Sequence, residues 1–275
     1  MKIAKWITII IFLGAIGIWC YGQEELKKQD TSAPVITSDI EELHVDAASG
    51  ESGLKEGLTA FDDVDGDITE NIIVGTISPF KEKGVSEVEY VVFDSSNNVG
   101  RYTRTVCFEN YESPKLYLSK ALVYEVNGVI NISDRLTAAD MLEGDISGKI
   151  RFSSANLTTT EEGTYKLNVE LKNSYGDTVK YRLPINLVRY NCEQERIQLS
   201  EYLVYVKKNS LLSPESYIKK VTNRVGVQER LENLDNVKIT SEADLTKPGT
   251  GQICYELLEE EEVVYATYLT VIVTE

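Results

Sequence analysis

The chain alternates apolar and polar residues at period two over much of its length. In "SEVEYVVF" Val88, Tyr90 and Val92 alternate with Glu87, Glu89 and Val91. Val179, Tyr181, Leu183, Ile185 and Leu187 occupy every other position further on, and Thr267, Leu269, Val271 and Val273 do so near the carboxy terminus. Alternation of this kind is the signature of half-buried strands. Helical periodicity is scarce: "SPESYIKKVTNRV", residues 213–225, is the one short candidate after the amino-terminal apolar run.

The strands recur with a fixed period. "SAPVITSDIEELHVDA" starts a unit at Pro34, "ESPKLYLSKALVYEVNG" starts another at Pro114, and "EQERIQLSEYLVYVKKN" aligns Glu195 with that proline. The spacings are 80 and 81 residues. "AFDDVDGDI" at 60–68 returns as "AADMLEGDI" at 138–146. "GVSEVEYVVFDSSNN" at 84–98 returns as "GTYKLNVELKNSYGD" at 163–177 and, more weakly, as "GTGQICYELLEEEE" at 249–262. A fixed period marks a tandem array, and about 80 residues of short strands and turns suits a small antiparallel sandwich. The expected fold is all-β: three tandem immunoglobulin-like antiparallel β-sandwiches after an amino-terminal hydrophobic helix. The segments are 1–22, a signal anchor or signal peptide; 23–33, a polar stalk; 34–112 and 113–190, the first two units; and 191–275, a divergent third. Brief junctions at "NYESP" and "YNCEQE" predict a semi-rigid string of beads.

The pattern A-x-D-x-x-D-G-D-I, followed by G-x-Y-x-V-x-Y-x-V-x-D-x-x-G-N, resembles the bacterial surface immunoglobulin-like repeat, a family also found in hyalin-type repeats and in some pesticidal crystal proteins. The first unit departs from it at Ser86 and Asn97 but keeps Asp94 and Asn98. The second keeps Gly163, Tyr165, Leu167 and Gly176, with Asn173 at the aspartate position. The third keeps little beyond Gly249, Ile253 and Tyr255. The resemblance implies spacers and adhesive modules on bacterial surfaces, with no characteristic reaction. A non-catalytic surface scaffold is therefore expected, its partner an extracellular protein or polysaccharide. The alternative is a glycan- or protein-recognition module serving an envelope or secreted complex, and aromatic platforms among Tyr117, Tyr124, Tyr202 and Tyr205 would mark it.

Charge narrows the partners. With 44 acids against 28 bases the net charge is −16, which repels nucleic acid and anionic lipid headgroups. Lys2 and Lys5 precede the uncharged run "WITIIIFLGAIGIWCYG", residues 6–22. As a helix it would span about 26 Å, the lower edge of what crosses a bilayer. The expectation is an uncut single-pass anchor with the rest outside; the alternative is secretion after cleavage near Gly22. Trp19 before Cys20 speaks against a lipoprotein site.

Candidate chemistry concentrates at "FDDVDGDIT", residues 61–69. Asp62, Asp65 and Asp67 either cap a tight turn, the preferred reading, or hold a calcium ion, which takes six to eight oxygens. No glutamate stands where an EF-hand loop needs one. Asp140, Glu143 and Asp145 are the second unit's counterparts. No pair of acids stands out as catalytic. His44, the only histidine, is out of phase with Leu43 and Val45 and so faces solvent. Export permits a disulfide, and Cys192 and Cys254 share a unit; Cys107 is expected as a thiol on a strand. Glu259–Glu262 is expected at a hairpin tip.

Overall fold

The structure, a computed structural model, describes residues 11–18, 30–154, 160–190, 192, 194–222 and 234–275. Strand is their main regular structure, and they fall into two compact units, Met1–Asn110 and Tyr111–Glu275.

The first unit contains β1 (Val35–Ser38), β2 (Glu42–Asp46), β3 (Leu58–Asp62), β4 (Gly66–Asp67), β5 (Ile73–Ile77), β6 (Val85–Phe93) and β7 (Val99–Glu109). One sheet has the order β1-β3-β4 and the other β2-β7-β6-β5. Neighbours run antiparallel except β2, which lies parallel to β7. The alternation seen in the sequence is the burial pattern of β6: Ser86, Val88, Tyr90 and Val92 are buried. With Val106 they line one inner face, and Ile36, Leu58 and Ala60 line the other. His44 is on the exposed side, 3.3 Å from Glu109.

The second unit holds two further pairs of sheets. Its first half holds β8 (Lys115–Leu118), β9 (Val123–Glu125), β10 (Leu136–Asp140), β11 (Gly144–Asp145), β12 (Ile150–Ser154), β13 (Gly163–Lys172) and β14 (Thr178–Val188). Its second half holds β15 (Ile197–Leu199), β16 (Leu203–Lys207), β17 (Ile218–Val221), β18 (Val237–Ser241), β19 (Gly249–Glu259) and β20 (Glu262–Thr274). Sheets β11-β10-β8 and β12-β13-β14-β9 are followed by β15-β17 and β16-β20-β19-β18. β9 lies parallel to β14 and β16 parallel to β20, as β2 does to β7.

The two halves are not separate beads. One cluster of buried residues runs from Leu116 through Leu187 and Tyr202 to Val273. Across the joint the Leu116 N–H donates to Tyr205 Oη (2.7 Å), and the Asn186 amide donates to Gln252 Oε1 (2.9 Å). Both members of the amide pair are buried.

Two expectations need correction. The helix candidate at 213–225 is a 3₁₀ turn, Pro214–Tyr217, running into β17; its last residues lie outside those described. Ile218 and Val221 are drawn into the core, and pairing with β15 overrides the weak helical pattern. The single-pass membrane anchor is also not supported. Among the described residues no helix is long and apolar enough to cross a membrane; the amino-terminal helix described covers residues 11–18, about 12 Å of rise. Residues 1–10 and 19–29, with Cys20 and the cleavage position, lie outside the described part. The pairing of Cys192 with Cys254, left open by the sequence, is not made: no disulfide joins them. Cys254 lies opposite Tyr268 in the β19–β20 ladder, and burial pushes its thiol pKa up to about 11. The acidic run is a hairpin tip as expected, turning at Glu260 and Glu261, both with positive φ.

Candidate functional site

The aspartate-rich stretch is the corner where β3 ends and β4 begins. Asp62 is the last residue of β3 and lies opposite Gly66 in the ladder. Its Oδ1 accepts the N–H groups of Val64 and Asp65, both at 2.9 Å. Gly66 has φ +76°, a left-handed conformation that glycine adopts without a Cβ penalty. Asp67 turns away and accepts the Thr69 N–H at 3.0 Å, and hydrogen bonds from Thr69 hold its carboxyl below the usual range.

Asp65 has a third role. Its two oxygens accept the backbone N–H of Ser95 (2.6 Å) and the Ser95 hydroxyl (2.8 Å). This clamps the β3–β4 corner to the turn between β6 and β7. The second unit builds the same clamp with Glu143, which accepts the Ser174 N–H at 2.9 Å and the Lys149 ammonium at 2.6 Å. Asp62, Asp65 and Asp67 thus face three different sets of partners, and the fold does not draw them around a common point.

Asp62 instead meets two acids that the aspartate-rich stretch does not contain. Ligand oxygens of Asp30, Asp62 and Asp94 all lie within 4.8 Å of one another. Asp94 opens the turn after β6. Its Oδ1 accepts the Asn98 N–H and its Oδ2 the Asn98 amide, each at 2.7 Å. Burial raises the Asp94 pKa, but the bonds from Asn98 outweigh it and hold the carboxyl low. The same Asn98 amide donates to the backbone carbonyl of Asp30 (3.2 Å), tying the incoming chain to the unit. Asp62 is 2% exposed, and its Oδ2 is buried with no hydrogen-bond partner. None of the three acids pairs with a lysine or arginine among the described residues.

The equivalent place in the second unit is chemically different. Asp140 succeeds Asp62, and its Oδ1 caps the corner through Leu142 and Glu143 in the same way. Its Oδ2, however, receives the Tyr111 hydroxyl (3.0 Å) and the Asn173 amide (3.1 Å). Asn173 succeeds Asp94, and Tyr111 stands in the incoming segment. There the carboxylate is satisfied by protein donors alone. Asp145 accepts the Ser147 N–H at 2.9 Å, as Asp67 accepts that of Thr69.

Sequence reasoning identified Asp62 but not Asp30 or Asp94 as its companions. Asp94 stood in the repeat pattern as a turn residue, and Asp30 fell in the expected stalk. Only the closing of β3 and β6 onto the entering chain brings them together.

A further polar surface lies between the halves of the second unit. A groove of about 610 Å³ is lined by Lys115, Tyr117, Glu201, Tyr205, Tyr217 and Lys219, among others. Tyr117 is 48% exposed, whereas Tyr124 and Tyr202 are buried.

No family model matches the chain. Over 129 residues it is 28% identical to the pesticidal crystal protein Cry22Aa of Bacillus thuringiensis, a weak homology covering 45% of this chain and 16% of that protein. Among solved structures it is similar to the CBM51-2 and INT domains of Clostridium perfringens ZmpB, determined with GlcNAc, at 18% identity and a TM-score of 0.22. That likeness covers 54% of this chain and 26% of the other. It is also similar to Drosophila N-cadherin EC1-3, at 12% identity and a TM-score of 0.28 over 88% of this chain and 99% of that one. At scores this low nothing about this chain's ligands follows from either structure.

Proposed function

We propose that the chain is a non-catalytic binding scaffold of three tandem immunoglobulin-like modules of the bacterial surface-repeat kind, acting as a spacer or adhesive element. The observation that carries this reading is the joint inside the second unit. A continuous buried cluster crosses it, and the Leu116–Tyr205 and Asn186–Gln252 bonds seal it. A buried, hydrogen-bonded joint resists bending because opening it strands polar groups away from their partners. Two modules fused this way hold whatever they carry at a fixed separation, which is what a spacer requires. The partner is an extracellular protein or a polysaccharide. The test is a screen of the full chain against polysaccharides and extracellular proteins, with mass analysis of each retained ligand. Retention of a chemically unchanged ligand supports the reading; a cleaved or modified ligand overturns its non-catalytic part.

A second reading, glycan recognition, is favoured by the groove at the same joint. Tyr117 offers an exposed ring, and Lys115, Glu201 and Lys219 offer hydrogen-bonding groups around it. Sugar sites combine aromatic faces with a few polar groups. Tyr117→Ala should then abolish binding to any polysaccharide found in the screen while leaving the melting temperature within about 2 °C.

A further inference from the structure

The first unit buries a carboxylate oxygen that nothing among the described residues satisfies. Asp62 Oδ2 has no hydrogen-bond partner, and the residue is 2% exposed. Leaving a charged oxygen in that state costs several kcal/mol as a rule. Asp30 and Asp94 deepen the problem, since one carboxylate oxygen from each of Asp30, Asp62 and Asp94 lies within 4.8 Å of the others. Asp94 is itself 6% exposed. Its bonds from Asn98 favour the ionised form. Hydrogen bonds inside the unit reach Asp62 Oδ1 and Asp94, but none reaches Asp62 Oδ2.

The second unit shows what neutral compensation looks like in this fold. There the corresponding oxygen, Asp140 Oδ2, accepts hydrogen bonds from the Asn173 amide and from the Tyr111 hydroxyl, which it shares with Asp177. The corner, its left-handed glycine and its clamp are the same in both units. What differs is that two hydrogen-bond donors in one are two acids in the other. The aspartate at 62 is therefore not explained by the turn, because the turn uses Oδ1 alone.

We propose that the first unit binds one divalent cation of the calcium class through the carboxylates of Asp30, Asp62 and Asp94. Oxygens bound to one calcium at about 2.3–2.6 Å lie at most about 5 Å apart, so the observed spacing fits a shared ion. The donor set is all oxygen and anionic, which suits calcium or magnesium and not zinc or copper. Two of the carboxylates belong to loops that close the end of the unit. The third belongs to the chain entering it, so the ion would fasten residue 30 to the corners at 62 and 94. The ligand set is Asp30, Asp62 and Asp94 and leaves out Asp65 and Asp67, which stand outside that cluster and turn to Ser95 and Thr69.

The experiment uses the full chain, stripped with a chelator, and titrates calcium chloride by calorimetry and by thermal melting. The expected result is one site per chain and a rise of about 10 °C in the first unit's transition at a hundredfold excess of calcium over Kd. Asp94→Asn reproduces the donor found at Asn173. It should weaken calcium binding at least a hundredfold and melt, without calcium, at or above the stripped wild type. Asp62→Asn should lose the calcium response as well, and Asp65→Asn should keep calcium affinity within about threefold. Should Asp62→Asn fail to fold, Asp30→Asn gives the same reading from a partly exposed position. No heat and no shift in the wild type up to about 10 mM calcium would overturn the proposal. So would a response that both Asp62→Asn and Asp94→Asn leave intact, or one that Asp65→Asn alone removes.

Discussion

Leu116 and Tyr205, 89 residues apart in the chain, hold each other by two hydrogen bonds. The Leu116 N–H donates to Tyr205 Oη at 2.7 Å, and the Leu116 carbonyl lies 3.3 Å from the same oxygen. A side chain from β16 thereby completes the backbone pairing of β8, in the other half of the second unit. The Tyr205 ring meets Tyr181 edge-on with centroids 6.3 Å apart. Burial pushes the phenol pKa well above its ordinary value, so the group stays a neutral donor and acceptor.

Tyr205→Phe keeps the ring and removes the oxygen. The Leu116 amide is then left without its partner at a fully buried residue, which should cost about 1–3 kcal/mol. Urea denaturation of the full chain should show the loss in the second unit's transition and not in the first unit's. A loss below about 0.5 kcal/mol would mean that water replaces the hydroxyl at the joint.

Arg104 carries a different kind of load. It is 3% exposed, and its guanidinium spans the Tyr90 hydroxyl (3.2 Å), Ser38 Oγ (3.1 Å) and the Leu54 carbonyl (2.9 Å), with no carboxylate partner among the described residues. Its charge also lies 5.2 Å from the Tyr90 ring centre. A lysine has its three donors on one nitrogen and cannot span acceptors that Arg104 meets with three separate nitrogens, yet it still buries a charge. Arg104→Lys should therefore destabilise the first unit by about 2–4 kcal/mol, and more than Arg104→Met, which buries none. Chemical denaturation of the two variants side by side checks the order; Met proving worse than Lys would refute it.

Acid should loosen the second unit through Glu143. Partial burial raises its pKa, but the Lys149 ammonium and the Ser174 groups outweigh that and hold it below the usual glutamate value. A carboxyl depressed in the folded state adds stability above its unfolded pKa of about 4.3 and loses it as pH falls through the folded value. Glu143→Gln should accordingly destabilise by about 1–2 kcal/mol at pH 7. The gap between variant and wild type should close as pH falls from about 5 to 3. Melting curves across that range would show it, and a gap independent of pH would remove the carboxylate's charge from the explanation.

Much of this molecule was legible in its sequence. Strand identity was, because a sheet with one buried face imposes a period of two, and Val88, Tyr90 and Val92 obey it. The stretches beginning at Pro34, Pro114 and Glu195 read as three units, whereas the described residues fall into two compact ones. The turn role of Asp62 was readable from Asp and Gly in a short corner, since that chemistry is local. Three things were decided only by tertiary structure. Ile218 and Val221 became a strand because a partner, β15, was there to pair with them. The two halves of the second unit share one core because Leu116 met Tyr205 and Asn186 met Gln252, contacts between residues 89 and 66 positions apart. Asp30 and Asp94 came to face Asp62 because three separate chain segments end at the same corner. A hydrophobic pattern records which side of a strand is buried; it carries no record of which distant side chain arrives there, and a buried carboxylate is satisfied or stranded by that arrival alone.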